Sequence, residues 1–289
     1  MPALLLLFVL GALCAPLVMN RGRLGFIFLS AIPGLATLWF LWQLPAAFRG
    51  EVYTQTVHWL PQLGFSFDVR IDALATVMAL LVTGVGTLVL LYSARYFSET
   101  ASHLGRFAGV FVAFSGAMLG LVTTDNTLAL YMFWELTTVF SFLLIGHYSS
   151  RASSRRAAMQ AIIVTTFGGL AMLIGIIMLG MMPGGSFSLS QIVSTAQAGH
   201  LGYGHPELLA AAVVLVLIGA FSKSALIPFH FWLPAAMAAP TPVSAYLHAA
   251  AMVKAGVPAS EWCNGKHTQA QIDAAKANRG GFFSRLFGR

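Results

Sequence analysis

The feature that most limits what this chain can become is a series of apolar blocks, each roughly 17 to 26 residues long and so close to the ~20 helical residues that cross ~30 Å of hydrocarbon. Of the 289 residues, 58% are hydrophobic and only 9% charged, whereas a soluble domain carries about 25% charged residues. A water-soluble enzyme is excluded. The expected fold class is all-α, a polytopic transmembrane helical bundle. Hydropathy read over ~19 residues at a time places spans near 3–19, 24–44, 71–94, 107–124, 126–147, 157–182, 208–228 and 241–257. That makes eight crossings, with a broken seventh helix, because the apolar stretch 229–239 is bounded by Pro228 and Pro240.

The first block has the look of a secretory signal from Leu4 to Leu13. No positive charge precedes it, however, while Arg21 and Arg23 follow it, so it reads as a retained span. The 16 Lys and Arg give a net charge of +7 without forming a basic face, which argues against nucleic acid as a partner. Their placement sets orientation instead. Arg21, Arg23, Arg95, Arg106, Arg151, Arg155 and Arg156 follow spans one, three and five, and only Arg49 and Arg70 follow spans two, four and six. By the positive-inside rule the N-terminus faces outward and the arginine loops face the cytoplasm of a bacterial inner membrane. Loop 183–206 has no Lys or Arg and reads as an ordered outer connection. Cys14 and Cys263 have neither C-x-x-C spacing nor a His cluster, so no disulfide framework and no metal site is expected. Gly109, Gly116 and Gly120 fall on one face of span four and predict close helix packing.

Charges within hydrocarbon cost at least ~2.5–3.5 kcal/mol each, so each needs a partner or a task. Glu135 lies near the middle of span five, and Lys223 lies in span seven within Phe221-Ser-Lys-Ser-Ala. Lys254 is in span eight, six residues after His248. His230 falls in the interrupted stretch, and His147 near a span end. A static Glu135–Lys223 ion pair is the plainer reading. A proton relay better explains why so costly a pair is kept: a lysine beside a carboxylate holds its proton more tightly than one parted from it. Pro228, Pro234, Pro240 and Pro242 supply the means of parting, since a helix broken by proline persists at membrane depth only where it is buried in protein or lines a wet cavity. His248, with Lys254, is placed to pass a proton onward, with His230 as a further candidate. Asp72, beside Arg70, is as readily a helix cap as a transport residue.

The segments Phe133-Trp-Glu-Leu-Thr-Thr-Val-Phe-Ser-Phe, Phe221-Ser-Lys-Ser-Ala and the long run from Pro228 to Val257 resemble the antiporter-like subunits shared by respiratory complex I and the Mrp cation/proton antiporters. Glu-Leu-Thr-Thr, Leu-Pro-Ala-Ala-Met-Ala-Ala-Pro and Met252-Val-Lys-Ala-Gly are most similar to the A-subunit branch of the Mrp type. The resemblance covers about residues 1–257 and implies the first part of the complex I antiporter-like fold, with only its first inverted repeat present. It implies that Glu135 and Lys223 are the proton-pathway pair and that His248 continues the relay. It implies partner membrane subunits, protons and Na+ as the transported ions, and no cofactor. Two other readings stay open. One is a proton-pumping membrane subunit of NADH:quinone oxidoreductase or a related hydrogenase, the one case in which the chain would be part of an enzyme. The other is a truncated, non-transporting fragment. The division expected is a transmembrane domain over 1–258 and a basic polar tail over 259–289, where the chain leaves the family pattern; such a tail emerging outside runs against the charge rule and suggests truncation or a frame shift.

Overall fold

The structure, a computed structural model, describes residues 1–60, 65–98 and 103–249. Seven helices within them are long and apolar enough to cross a membrane. They are α1 (Pro2–Val18), α2 (Arg23–Phe48), α3 (Ala73–Tyr96), α4 (Leu104–Thr123), α5 (Thr127–Ile145), α6 (Ala152–Met181) and, after a short surface helix α7 (Leu189–Gln197), α8 (Pro206–Lys223). The chain then continues through a four-residue helix α9 (Trp232–Ala235) into α10 (Thr241–Ala249). The eighth crossing expected over 241–257 is therefore described only for its first turns, and the tail over 259–289 lies outside the described residues.

Successive helices alternate in direction, so the joints gather at two ends. At one end a β-hairpin, β1 (Tyr53–Leu60) with β2 (Phe65–Ile71), pairs antiparallel in the α2–α3 connection. The backbone N–H of Asp125 donates to the Asp68 carbonyl at 2.7 Å, and that of Thr127 to the Phe187 carbonyl at 2.8 Å. The N-terminal amine donates to Gln55 at 3.2 Å. The N-terminus, the hairpin, the α4–α5 joint and the α7 loop thus share an end. The opposite end holds the α1–α2, α3–α4 and α5–α6 joints, and with them the seven arginines singled out above. The start of α10 is there too: Tyr96 Oη pairs with Thr241 Oγ1 at 3.3 Å, and Ser154 donates to the Ala238 carbonyl at 3.3 Å.

The hairpin was not foreseen. A hydropathy window tuned to spans passes over eight residues of alternating, Thr- and Val-containing sequence between two long apolar blocks.

Helix α4 is the most enclosed of the seven spans. Its glycines make that possible: a Cβ at Gly109 would sit 2.9 Å from the Ala12 carbonyl, one at Gly116 2.6 Å from Phe8 Cβ, and one at Gly120 2.5 Å from the Phe133 ring. Two of the three therefore admit α1 and the third admits α5, which is the close packing their spacing predicts. On the far side α10 is pinned by Tyr246, which is fully buried, donates to the Val82 carbonyl at 2.9 Å and bonds Ser115 at 2.9 Å. Tyr246→Phe removes both bonds at constant packing, and a loss of about 1–2 kcal/mol is expected as a lowered melting temperature in detergent.

Candidate functional site

Helix α8 ends at Lys223, five residues before the Pro228 break that hydropathy suggested. The stop is built from the chain itself. Ala225 takes a left-handed backbone conformation (φ 51°), and Leu226 N–H bonds back to the Phe221 carbonyl at 3.0 Å, the helix-ending motif that usually places glycine at the left-handed position. The Ser222 carbonyl, which has lost its helical partner, accepts from the indole of Trp232 at 2.9 Å. Buried Trp232 thus ties the broken segment to the helix end. Lys223 sits in the last turn of α8, where the carbonyl end of the helix dipole favours a cation.

The Lys223 side chain is fully buried and crosses to α5. Its ammonium donates to the Trp134 carbonyl at 2.7 Å, to Thr138 Oγ1 at 3.3 Å and to Thr137 Oγ1. The Trp134 ring centroid lies 4.4 Å from Nζ, within cation–π range. Three donors meet three acceptors. The two hydroxyls direct their own protons to the Trp134 carbonyl at 2.7 and 3.1 Å, which leaves their lone pairs to the lysine. Trp134, Thr137 and Thr138 stand at i, i+3 and i+4, one stripe of α5.

Glu135 lies about 100° round the helix from Trp134, half-buried and turned toward α6. The expected Glu135–Lys223 ion pair is not formed; the two charges are near enough to interact electrostatically, but the lysine's hydrogen bonds go to neutral oxygens. Glu135 Oε1 is buried without a hydrogen-bond partner, as are Ser224 Oγ and Trp134 Nε1. Two adjacent glycines of α6 shape this region. A Cβ at Gly169 would collide with Glu135 Oε1, and one at Gly168 with the Ser222 side chain. The bare backbone of α6 therefore lets α5 and α8 approach it side by side.

The other candidates separate. His230 is exposed on the broken segment and is not brought to Lys223. Asp72 is the N-cap of α3, accepting from Ala75 N–H at 2.9 Å, with Arg70 at 4.0 Å. His147 packs against Phe97, Phe107 and Tyr148, and burial together with Arg106 and His103 pushes its pKa down. The backbone of His248 falls in α10, while its side chain and all of Lys254 lie outside the described residues. Sequence reasoning missed Trp134, Thr137, Thr138 and Gly169. The adjacent hydroxyls of Thr137 and Thr138, one turn after Trp134, were a usable signal for the first three.

Residues 124–260 match a family model described as NADH:quinone oxidoreductase/Mrp antiporter, transmembrane, and residues 59–108 one described as the N-terminus of chain 5 of complex I NADH-ubiquinone oxidoreductase. The A-subunit of the Na(+)/H(+) antiporter from Alkalihalophilus pseudofirmus is 45% identical over 230 residues, covering 80% of this chain and 28% of that one. The chain belongs to the antiporter-like subunit family. The A1-subunit of the Na(+)/H(+) antiporter from Staphylococcus haemolyticus is 44% identical with the same coverage. A chain of the Mrp complex from Dietzia sp. superposes with a TM-score of 0.79 at 35% identity, over 89% of this chain and 27% of that one. A chain of the archaeal membrane-bound sulfane sulfur reductase shares the fold, with a TM-score of 0.75 at 22% identity over 89% of this chain and 51% of that one. The chain thus spans little more than a quarter of the length of its A-subunit relatives.

Two substitutions separate the contribution of Lys223 to stability from that of its cage. Lys223→Met removes a buried charge and is expected to leave stability unchanged or higher. Thr137→Val combined with Thr138→Val strips the ammonium of two acceptors and is expected to cost about 3 kcal/mol. Thermal unfolding of the purified variants checks both. A large loss for Lys223→Met alone would make the lysine a structural residue.

Proposed function

We propose that this chain forms a proton half-channel within a membrane subunit of a multi-subunit Na+/H+ antiporter, with Lys223 holding the exchangeable proton. The observation that carries the reading is a fully buried lysine at a helix break, caged by neutral oxygens, with a carboxylate on the next face of the helix that supplies them. In this reading the ammonium on its flexible four-carbon stem moves between two seats, the hydroxyl cage it occupies and the carboxylate of Glu135, with which it interacts electrostatically. In contact with Glu135 it holds its proton; in the cage, hydrogen-bonded to neutral oxygens alone, it releases it more easily. The described arrangement is the caged one. His248 and Lys254 then pass the proton onward.

The identity of 42–45% with chains named as A-type subunits of Na(+)/H(+) antiporters favours this reading over a respiratory one. The partners are then the other membrane subunits of such a complex. The gathering of seven arginines at one end supports an inner-membrane orientation with the N-terminus outside. In a full-length, assembled context, Glu135→Ala and Lys223→Ala are each expected to reduce Na+-dependent proton movement in everted vesicles to background. Full exchange in either variant would refute the relay.

A further inference from the structure

Two cavities of about 530 and 300 Å³ open beside α6 and share Ile163, Val164 and Phe231, so together they form one continuous trough. One wall is α6, through Met159, Ile163 and Phe167, all exposed. The other is the broken segment after Lys223, through Pro228, Phe229 and Phe231. Within that segment the Leu226 N–H bonds the Phe221 carbonyl at 3.0 Å and the Phe229 N–H bonds the Leu226 carbonyl at 2.7 Å. Two of its backbone donors are thus satisfied internally, and it presents apolar side chains to the trough.

The two ends of the trough differ. Its inner end is lined by apolar residues alone. Its mouth, at the arginine end of the bundle, carries Arg155 and Arg156. With Arg151 at the N-cap, three arginines open α6, and no acidic residue stands in its first turn. Arg155 uses one nitrogen, Nη1, on the Ser149 and Ser150 carbonyls at 2.7 and 3.2 Å, which fixes its guanidinium. Arg156 is exposed and has no ion-pair partner among the described residues.

We propose that this trough seats an anionic phospholipid, its phosphate on Arg155 and Arg156 and one acyl chain lying along α6 against the broken segment. Charge and depth both point to that occupant. From Arg156 to Phe167 the trough runs about 16 Å at 1.5 Å per residue, the depth of one leaflet of a ~30 Å hydrocarbon layer. A partner's spanning helix would need a groove through both leaflets, and a soluble anion would gain nothing from an apolar trough. A lipid places its phosphate at the interface, where arginine forks match phosphate oxygens, and its chain in the apolar part below. The lipid becomes part of the wall around the helix break, whichever ion the subunit moves.

The test is photolabelling of the assembled complex in phosphatidylcholine nanodiscs that carry a trace of probe lipid with a diazirine in one acyl chain. Adducts on α6 between Met159 and Phe167, or on residues 228–231, are expected to be about tenfold more abundant with a phosphatidylglycerol probe than with a phosphatidylcholine probe. Arg155→Gln combined with Arg156→Gln is expected to bring the two probes level. Ile163→Trp keeps both charges, fills the trough and is expected to lower phosphatidylglycerol labelling severalfold. Equal labelling of the unsubstituted complex by the two probes, or a preference that survives loss of both arginines, overturns the proposal. If the double variant does not assemble, the comparison of probes on the unsubstituted complex and the Ile163→Trp variant still decides. Benzoylphenylalanine in place of Phe231 provides the independent check. A crosslink to lipid supports the assignment, and a crosslink to another protein segment shows that protein fills the trough and overturns it.

Discussion

Everything at the centre of this protein turns on seating one ammonium where water is excluded. A charge at such a depth is tolerated only if its hydrogen-bonding capacity is filled. Here the Trp134 carbonyl and the Thr137 and Thr138 hydroxyls fill it. The need reaches outward. The lysine must stand at the end of a helix, so α8 stops at residue 223; the stop frees carbonyls, so Trp232 is drawn in to cap one of them; and both neighbouring helices must crowd against α6, so α6 presents Gly168 and Gly169 where they meet. A buried carboxylate is not what holds the lysine. That distinction matters, because a neutral cage releases a proton more readily than an ion pair does.

The spans were legible because they are written in the strongest signal a sequence carries, long uniform hydropathy, and the broken seventh helix because proline announces itself. The glycine stripe of α4 was legible for a similar reason: absent side chains at helical spacing have one physical use in a bundle. The hairpin was not, since it is short and lies where span-length averaging blurs alternation. At the site, sequence reasoning singled out Glu135 and Lys223 and expected an ion pair between them, whereas the lysine's hydrogen bonds go to neutral oxygens of α5. It paired opposite charges by proximity of type, whereas Trp134, Thr137 and Thr138 occupy the face of α5 that meets Lys223 and Glu135 occupies the next one. Which face of a helix meets which neighbour is set by packing against α6, and local sequence does not state it.

His230 and Asp72 illustrate the same limit from the other side. Both are polar residues near hydrocarbon, and both were reasonable relay candidates by residue type. One lies on an exposed stretch of the broken segment and the other caps α3. Position within the bundle separates them from Lys223, whose surroundings are closed on every side. The two ends of the bundle also differ in character. Arginines mark one, and carboxylates and serines bound into a fixed framework mark the other.

The central claim is that Lys223 works by giving up its proton, and a substitution that keeps the charge but forbids deprotonation tests it most directly. Arginine stays charged throughout the accessible pH range. In vesicles where the Lys223→Arg complex is shown to be assembled, Na+-dependent proton movement is expected to fall to background. Exchange at the unsubstituted rate would mean that position 223 needs only a positive charge, and would contradict the account.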